Sequence, residues 1–480
     1  MDPAQRAAHA AYQQLGFFVL EGLPPGSEFG LDTLLWRTER FKGVKFIPPG
    51  LHLFVFSAAP SSTDEATARS DAPSSVGTRH GILRFFHGNE CVAEEWDNAR
   101  EELKSAAGTS TKRKRRRVVA GANDNSSEET VASPEYLKSL DASLAPYPQE
   151  DISKHWPALT SFISEKTLAR VVGLEASGSA HVDALTATAD DAAVQAAAAQ
   201  AKKQVWGKPR PEAEAETPVD VAGEEGGDAG DDPGDLLEFV KFDEKRSWPP
   251  GAAGEELTRW SKDKSWQLSQ LVGAQLDGEV KELLGELQLS FVLFSLIHNF
   301  AALGVYRSLF ALICRASVLA LPPSDRPASD QLPSPLLTTP SLPLFASFLS
   351  SVHAQIAFLE PDFFSTQLPS LEQHLLDSLA ILLQSLSDAQ PAWTRMGAQD
   401  SGAASVWREV VTQWDALART SMAKFGWDLG VIRGSHTPYT APGGRVERDD
   451  GEVDLEDLDS GDEAPIILDE NGDEIRASEL

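Results

Sequence analysis

The spacing of apolar residues divides this chain into an early segment with strand periodicity and a later one with helical periodicity. Leu15 to Leu20, Ile82 to Phe86 and Cys91 to Trp96 predict short strands, the last two on either side of a turn at His87-Gly88-Asn89. The segment from about Tyr12 to Asp97 is therefore expected to be mainly β, as a small sandwich or a curled sheet.

The most apolar part of this segment runs from Phe41 to Phe56. Phe41 to Ile47 mixes apolar residues with lysines, and Leu51 to Phe56 is interrupted only by His52. Between them, Pro48-Pro49-Gly50 predicts a tight turn, because proline fixes φ and glycine accepts a positive φ. We expect a hairpin whose two strands are buried on both faces.

Helical spacing follows on both sides of a low-complexity stretch. Pro134 to Leu144 and Ile152 to Val172 predict helices that flank the β segment. Glu255 to Leu276 and Glu279 to Ala320 are apolar on nearly all sides, which is typical of interior helices. Three further amphipathic helices are predicted at Leu344 to Leu359, Leu368 to Leu386 and Val406 to Lys424. We expect an all-α domain of about six helices or more, stacked or bundled.

The chain has 72 acidic and 42 basic side chains, and the acidic excess is concentrated in two tracts. Glu212 to Glu238 contains eleven acidic residues and no lysine or arginine, and Glu447 to Glu474 contains fourteen acidic residues and one arginine. Neither tract can bury enough apolar surface to offset its conformational entropy, so we expect both to be disordered. Acidic tracts repel phosphate, so no direct nucleic-acid binding is predicted, whereas a basic protein partner is compatible with them.

These patterns together predict an α+β multidomain chain. A mainly-β, sandwich-like N-terminal domain with flanking helices would occupy residues 1–172, with disordered insertions near 58–78 and 98–133. A long disordered linker would follow at 173–235, then an all-helical domain at 236–433 and an acidic tail at 434–480.

No arrangement of residues indicates catalysis, a cofactor or a bound metal. The sequence has no Gly-rich phosphate loop, no H-E-x-x-H and no G-x-S-x-G motif. Cys91 and Cys314 are far apart and lack companions at metal-ligand spacing, which predicts a reducing compartment without disulfides. His52, His298 and His374 are isolated on predicted strands or helices, so we expect satisfied core or surface histidines. We therefore predict that the protein is not an enzyme.

Two features allow a second interpretation. Glu28 and Asp32 flank Phe29-Gly30 and could act as a carboxylate pair in acid–base chemistry, although loop capping is the simpler interpretation. Leu287 to Tyr306 has no formal charge over a length close to a membrane span. Its polar residues favour core helices of a soluble domain, so no membrane association is predicted.

An unbroken basic run lies in the polar insertion and consists of Lys112, Arg113, Lys114, Arg115, Arg116 and Arg117. Nuclear import receptors or anionic surfaces can recognise such a cluster, and a solvated loop is the alternative. Composition alone does not account for a basic run in so acidic a chain. We therefore predict that it drives nuclear accumulation.

A short apolar segment interrupts the acidic tail and consists of Pro465, Ile466, Ile467 and Leu468. A β-prone segment without a core of its own can bind by adding a strand to the edge of a partner's sheet. The alternative is a tail with a few incidental apolar residues. Ser460 lies shortly before this segment in an acidic context that suits an acid-directed kinase, so phosphorylation there is predicted to control release of the tail.

Five ordered blocks resemble the assembly-factor family of the U5 small nuclear ribonucleoprotein (snRNP), a family of splicing factors. The family signature G-T-E-F-G-I-D followed by F-x-G-V-K-x-I-P-P-G-I-H is similar to Gly26 to Asp32 and Phe41 to His52. Leu144 to Leu168 resembles the family's P-Y-P and L-T-x-F-I-S stretch, and Leu284 to Ser317 resembles its long helical block. Shorter similarities occur at Asp362-Phe363-Phe364 and Phe425-Gly426-Trp427-Asp428.

The resemblance implies a chaperone-like factor without cofactors that acts in U5 particle biogenesis for pre-mRNA splicing, in both cytoplasm and nucleus. The implied partner is the large central U5 scaffold protein, bound at its RNase H-like and MPN-type domains, with other U5 proteins as further partners. Binding there would exclude RNA and the U5 helicase until the factor leaves. The resemblance also implies a VHS-like helical domain, and we expect a monomer before complex formation.

The alternative function is an acidic nuclear chaperone or adaptor for a basic partner such as histones. That function needs only the acidic tracts, whereas particle assembly needs the ordered domains. Deletion of Glu212 to Asp235 therefore discriminates between them, because only the acidic chaperone should lose its binding.

Overall fold

The structure is a computed structural model that describes residues 14–38, 42–59, 77–98, 102–104, 140–175, 177–189, 191, 236–326, 341–398 and 400–432. All of these residues belong to one unit that ends at Ser435. The strands in the described part of the chain are β1 Gly16–Glu21, β2 Ser27–Leu31, β3 Leu34–Thr38, β4 Gly43–Ile47, β5 Gly50–Ser57, β6 His80–Phe86, β7 Cys91–Asp97, β8 Glu102–Lys104, β9 Ala145–Pro146 and β10 Ala180–Asp183.

The helices fall into a short set beside the strands and a long set after residue 236. The short ones are α1 Gln149–Ile152, α2 Trp156–Leu159 and α3 Glu165–Val171. The later ones are α4 Gly254–Lys262, α5 Ser265–Gln275, α6 Val280–Val292, α7 Phe300–Cys314, α8 Ser317–Ala320, α9 Leu342–Phe358, α10 Phe363–Thr366, α11 Pro369–Gly397 and α12 Ser401–Phe425. A π-helical turn, Leu293–Ile297, follows α6.

The strands form two five-stranded sheets that face each other. The first has the order β8-β7-β1-β4-β9 and the second the order β10-β6-β5-β2-β3. Phe18 of β1 stacks on Phe54 of β5 with ring centroids 3.8 Å apart, which joins the two sheets through their buried faces. The predicted β-rich N-terminal domain is confirmed, and the helical region after it is also confirmed.

The predicted hairpin across Pro48-Pro49-Gly50 is wrong. The two strands exist, but β4 pairs with β1 and β9 in the first sheet, whereas β5 pairs with β2 and β6 in the second. Gly50 has the expected positive φ of 136°. The turn carries the chain from one sheet to the other, because two strands that are apolar on both faces can each occupy an interior sheet position.

The hairpin of this region lies earlier, between β2 and β3, where the sequence pattern gave no strand. Phe29 pairs with Trp36 and Gly30 with Leu35 across this hairpin. Asp32 occupies the turn with a positive φ of 54°, a conformation that aspartate tolerates better than most residues.

The structure differs from the predicted linker at its beginning. Strand β10 pairs antiparallel with β6, with Ala180 opposite Leu83 and Val182 opposite Gly81. A further bridge joins Thr188 to Leu237. The low-complexity composition of this stretch indicated a linker without strands, because the pairing that stabilises β10 comes from a distant segment. Strand β8 likewise lies inside the predicted disordered insertion near 98–133, where it pairs with β7. The other predicted domain boundaries remain predictions.

Three predicted helices are interrupted, and the predicted Glu255 to Leu276 helix is divided into α4 and α5 after Lys262. The Ile152 to Val172 segment consists of short helices rather than one, and Trp156-Pro157 begins α2 with a proline in its first turn, where the missing N–H costs no hydrogen bond. The Glu279 to Ala320 pattern breaks at His298, which has a left-handed φ of 65°. Helices α9, α11 and α12 lie where the periodicity predicts them, and α11 extends further, to Gly397.

The sheets and the helices share one hydrophobic core in the part of the chain that the structure describes. Gly81 of β6 shows how closely they approach, because a Cβ placed there would lie 2.3 Å from Cδ1 of Ile297. The Leu287 to Tyr306 stretch belongs to this core, and no described helix combines the length and apolarity needed to cross a bilayer.

Candidate functional site

The residues predicted to bind partners lie outside the described residues. This holds for the tail segment Pro465–Leu468, for Ser460 and for the basic run Lys112–Arg117. The structure does describe the blocks that carry the family resemblance. Their polar side chains form two hydrogen-bonded groups, which we call the signature network and the clasp.

The signature network brings together three blocks that are distant in sequence. Asp32 comes from the turn between β2 and β3, His52 from β5, and Tyr147 from the loop after β9. The Asp32 carboxylate accepts hydrogen bonds from the Tyr147 hydroxyl at 2.8 Å and from the Leu53 amide at 2.9 Å. Its Oδ2 also lies 2.9 Å from Nδ1 of His52.

The signature network is closed to solvent. The Asp32 side chain is fully buried and the His52 side chain is 4% exposed. Nε2 of His52 lies 2.9 Å from the Pro48 carbonyl oxygen, which can only accept, so this nitrogen donates. Burial, and then the charge of Asp32, raise the pKa of the Tyr147 hydroxyl above its ordinary range. An acid, a histidine and a tyrosine whose polar atoms are used in this way stabilise the fold.

The clasp joins the short helices beside the sheets to α6. Glu282, Gly285, Glu286 and Gln288 repeat on one face of α6 at helical spacing. Glu282 accepts hydrogen bonds from the Ser164 hydroxyl at 2.7 Å and from the Thr167 hydroxyl at 2.8 Å. The same two residues form the capping box of α3, so the N-terminus of α3 is fixed to α6.

A buried carboxylate lies at the centre of the clasp. Glu286 accepts a hydrogen bond from Arg170 of α3 and, at 2.9 Å, from the amide of Val240. Burial raises the pKa of the Glu286 carboxyl above its ordinary value, although the positive charge of Arg170 acts in the opposite direction. Arg170 is itself 27% exposed, so the ion pair reaches the surface.

Gln288 completes the clasp with both ends of its amide. Its oxygen accepts a hydrogen bond from the amide of Phe162 at 2.7 Å, and its nitrogen donates to Ala158, Ser161 and Ser351. The backbone also approaches closely here, because a Cβ on Gly285 would lie 2.5 Å from the Phe162 carbonyl oxygen. Only glycine therefore fits at position 285 without a shift of the neighbouring loop.

A second contact between sheet and helices lies nearer the surface and uses Arg79, just before β6. Arg79 donates to the Leu296 carbonyl at 3.0 Å and to Nε2 of His298 at 2.8 Å. It also pairs with Glu28 of β2 at 3.3 Å. Burial, and then the charge of Arg79, lower the pKa of His298. We call this group the rim contact.

A groove of about 360 Å³ runs beside the clasp. It is lined by Ser161, Phe162, Ile163, Ser164, Lys166, Glu279, Lys281 and Glu282. Its charges are mixed, and Glu282 already accepts two hydrogen bonds. In the part of the chain that the structure describes, no group of His, Cys, Asp and Glu residues could hold a metal ion.

The large exposed apolar side chains include two pairs in the described residues. Leu35 and Trp36 of β3 are 45% and 42% exposed. Leu185 and Phe300 are 79% and 80% exposed, and Asn299 links their segments by donating to the carbonyls of Asp183 and Thr186. The pair on β3 occupies successive positions of one strand, and exposed apolar side chains held in this way are suited to contact with a protein partner.

The sequence predicted part of these arrangements. His52 is a satisfied core histidine and His298 a satisfied surface histidine, as expected. Asp32 and Glu28 do not form a pair with each other, since each has a different partner. The connection of Asp32 with His52 and Tyr147 was not predicted. The available signal was that all three residues lie in blocks that carry the family resemblance.

Comparisons with known proteins match both halves of the chain. The family model of the AAR2 N-terminal domain matches residues 14–173, and that of the AAR2 C-terminal repeat region matches residues 239–430. The signature network lies within the first match, and the clasp joins the two.

Among curated proteins, Protein AAR2 homolog of Homo sapiens is 28% identical over 309 residues, which covers 62% of this chain and 68% of that protein. The homolog of Mus musculus gives the same identity and coverage. The homolog of Caenorhabditis elegans is 30% identical over 161 residues, 33% of this chain and 36% of that protein.

Proposed function

Because the chain belongs to the AAR2 family, we propose that it is a non-enzymatic, chaperone-like assembly factor of the U5 snRNP. Family membership supports a role in splicing and snRNP assembly, and association with U5 components. The observation that carries the proposal is that both family regions occur in one chain and in order.

We further propose that its partner is the large central U5 scaffold protein, bound at the RNase H-like and MPN-type domains. Binding there excludes RNA and the U5 helicase until release. The clasp supports this function, because buried hydrogen bonds between α3 and α6 hold the sheets and helices as one surface for a large partner. The closed signature network is consistent with a binding protein rather than a catalyst.

The two regions outside the described residues have proposed roles in the same function. The tail segment Pro465–Leu468 adds a strand to the partner, and phosphorylation of Ser460 regulates its release. The basic run Lys112–Arg117 supports import, so the protein is present in both cytoplasm and nucleus.

Calorimetric titration of the full chain with each isolated scaffold domain tests the proposal. We expect saturable binding, and we expect the bound chain to prevent U5 RNA from associating with the same domains. Absence of binding to both domains would contradict the proposed partner. Replacement of Ile467 by proline should weaken binding without changing the melting temperature of the free protein, because proline removes a strand donor.

The acidic tracts favour one other function, that of a chaperone for basic proteins such as histones. Deletion of residues 212–235 separates the two proposals. An assembly factor should retain most of its affinity for the scaffold domains after this deletion. A chaperone for basic proteins should lose binding to histones and should never bind the scaffold domains.

A further inference from the structure

Strand β3 lies at one end of the second sheet. It pairs with β2 on one side, and no described strand lies on its other side. Natural sheets usually protect such an edge with charged residues, proline or a covering segment. In β3 the central positions are instead the exposed apolar residues Leu35 and Trp36.

The two exposed side chains point to opposite faces of the sheet, because successive residues of a strand alternate. Trp36 lies opposite Phe29, which is buried, and Leu35 lies opposite Gly30. A partner resting on one face of the sheet would cover only one of them. Within the described part of the chain neither residue has a strand beside it, and a strand paired beside β3 would cover both at once.

The edge is held rigidly. The turn between β2 and β3 is anchored by the Asp32 carboxylate, which accepts hydrogen bonds from Tyr147 and Leu53. Leu35 lies directly over Gly30, where a Cβ would be 2.7 Å from Cδ2 of Leu35. A strand acceptor fixed in this way loses little conformational freedom when it binds.

A positive charge stands next to the apolar pair. Arg37 is exposed, and its cross-strand neighbour Glu28 is already paired with Arg79. An acidic residue on the added strand would therefore find the Arg37 guanidinium beside it, and opposite charges across a strand pair are stabilising.

We propose that the β3 edge accepts a β-strand from the scaffold protein, with apolar side chains at two successive positions and an acidic side chain beside Arg37. This inference rests on the proposed function and names the surface of this chain that it uses. The β3 edge is a second contact, separate from the tail segment. A second copy of the chain is a poorer occupant, because pairing of two five-residue edges buries far less than the roughly 1,200 Å² of a stable interface.

Hydrogen–deuterium exchange of the full chain, alone and with saturating RNase H-like or MPN-type domain, tests the proposal. The outward amides of Leu34–Thr38 should exchange about tenfold more slowly in one of the two complexes. The double variant Leu35→Thr/Trp36→Thr keeps strand propensity and removes the apolar contacts. Its dissociation constant should rise by about tenfold.

A matched control uses the same substitutions at the other exposed pair, Leu185→Thr/Phe300→Thr, and its dissociation constant should equal that of the wild type. The inference is overturned if the wild type binds while amide exchange at Leu34–Thr38 is unchanged, or if binding is weakened equally in both double variants. Either result leaves the proposed function intact. No binding of the wild type overturns both. Protection that grows with the concentration of the free chain assigns the edge to a second copy and also overturns it.

Discussion

The signature network and the clasp are both polar and both lie in regions that match the AAR2 family, yet they differ in what they join. The signature network ties three strands and loops of the β-rich part around one fully buried carboxylate, Asp32. The clasp connects that part to α6 through Glu282, Glu286 and Gln288, and its Arg170 remains partly exposed.

This difference indicates that polar residues in the most recognisable parts of the chain determine its architecture. A buried carboxylate with three hydrogen-bond partners favours one arrangement of the strands and loops around it. A row of polar contacts on a helix fixes how the β-rich part packs against the helical part. The surfaces suited to a partner are elsewhere, at apolar positions such as Trp36 that no motif marks. Disruption of the two groups should therefore have different consequences.

The largest effect is expected from Asp32→Ala. Removal of the carboxylate leaves the His52 ring, the Tyr147 hydroxyl and the Leu53 amide without their acceptor inside the protein. We expect a loss of about 3–5 kcal/mol in the free energy of unfolding, measured by urea denaturation. Asp141→Ala is the control, since that exposed carboxylate pairs with Lys45 and should contribute at most about 1 kcal/mol. Equal losses would contradict a special role for the network.

The Gln288→Leu variant should lose less stability than Asp32→Ala and should also change the shape of its unfolding transition. The Phe162 amide loses its acceptor, and three further groups lose a donor, so the cost should be about 1–3 kcal/mol. Because the clasp joins the β-rich part to the helical part, calorimetry should show a broader or split unfolding transition in this variant than in the wild type. Gln384→Leu removes only an exposed hydrogen bond to Asp388 on α11 and should leave one transition. A single sharp transition in both variants would show that the clasp does not couple the two parts.

The same contrast explains what the sequence could predict. Local periodicity placed five of the ten described strands and the long helices, because those patterns depend on neighbouring residues. Sheet membership was not predictable, since β4 and β5 are adjacent in sequence yet pair with distant strands. The signature network was missed for the same reason. Asp32 and Tyr147 are separated by more than a hundred positions, and only the tertiary fold brings them together.

A pH-dependent effect should come from Glu286. Its pKa is raised by burial above the ordinary 4.5, so the native state binds this proton more tightly than the unfolded state. This carboxyl stabilises the fold at low pH and loses that contribution as the pH rises through the raised pKa. The free energy of unfolding of the wild type relative to Glu286→Gln should therefore decrease from about pH 4.5 upward. The exposed Glu165→Gln is the control, and a pH-independent difference for Glu286→Gln would refute the assignment.

The smallest change in stability is expected from protonation of His298 in the rim contact. Nε2 accepts a hydrogen bond from Arg79, so protonation of the ring removes this bond and places two positive charges together. The native pKa is lowered below the ordinary 6.5, so the contribution is complete above pH 6.5 and is lost as the pH falls from there through the lowered native pKa. His298→Asn is a suitable comparison, because asparagine tolerates the positive φ at this position and does not titrate.

Between about pH 7.5 and 5.5 the wild type should lose stability relative to His298→Asn, by less than about 1 kcal/mol, because the ring is partly exposed. Urea denaturation at several pH values measures this difference, with His87→Asn as the control at an exposed histidine. A difference that stays constant over this range would show that the Arg79–His298 hydrogen bond does not respond to protonation. The link between sheet and helices would then depend on contacts that do not titrate in this range, such as those of Gln288 and the shared core.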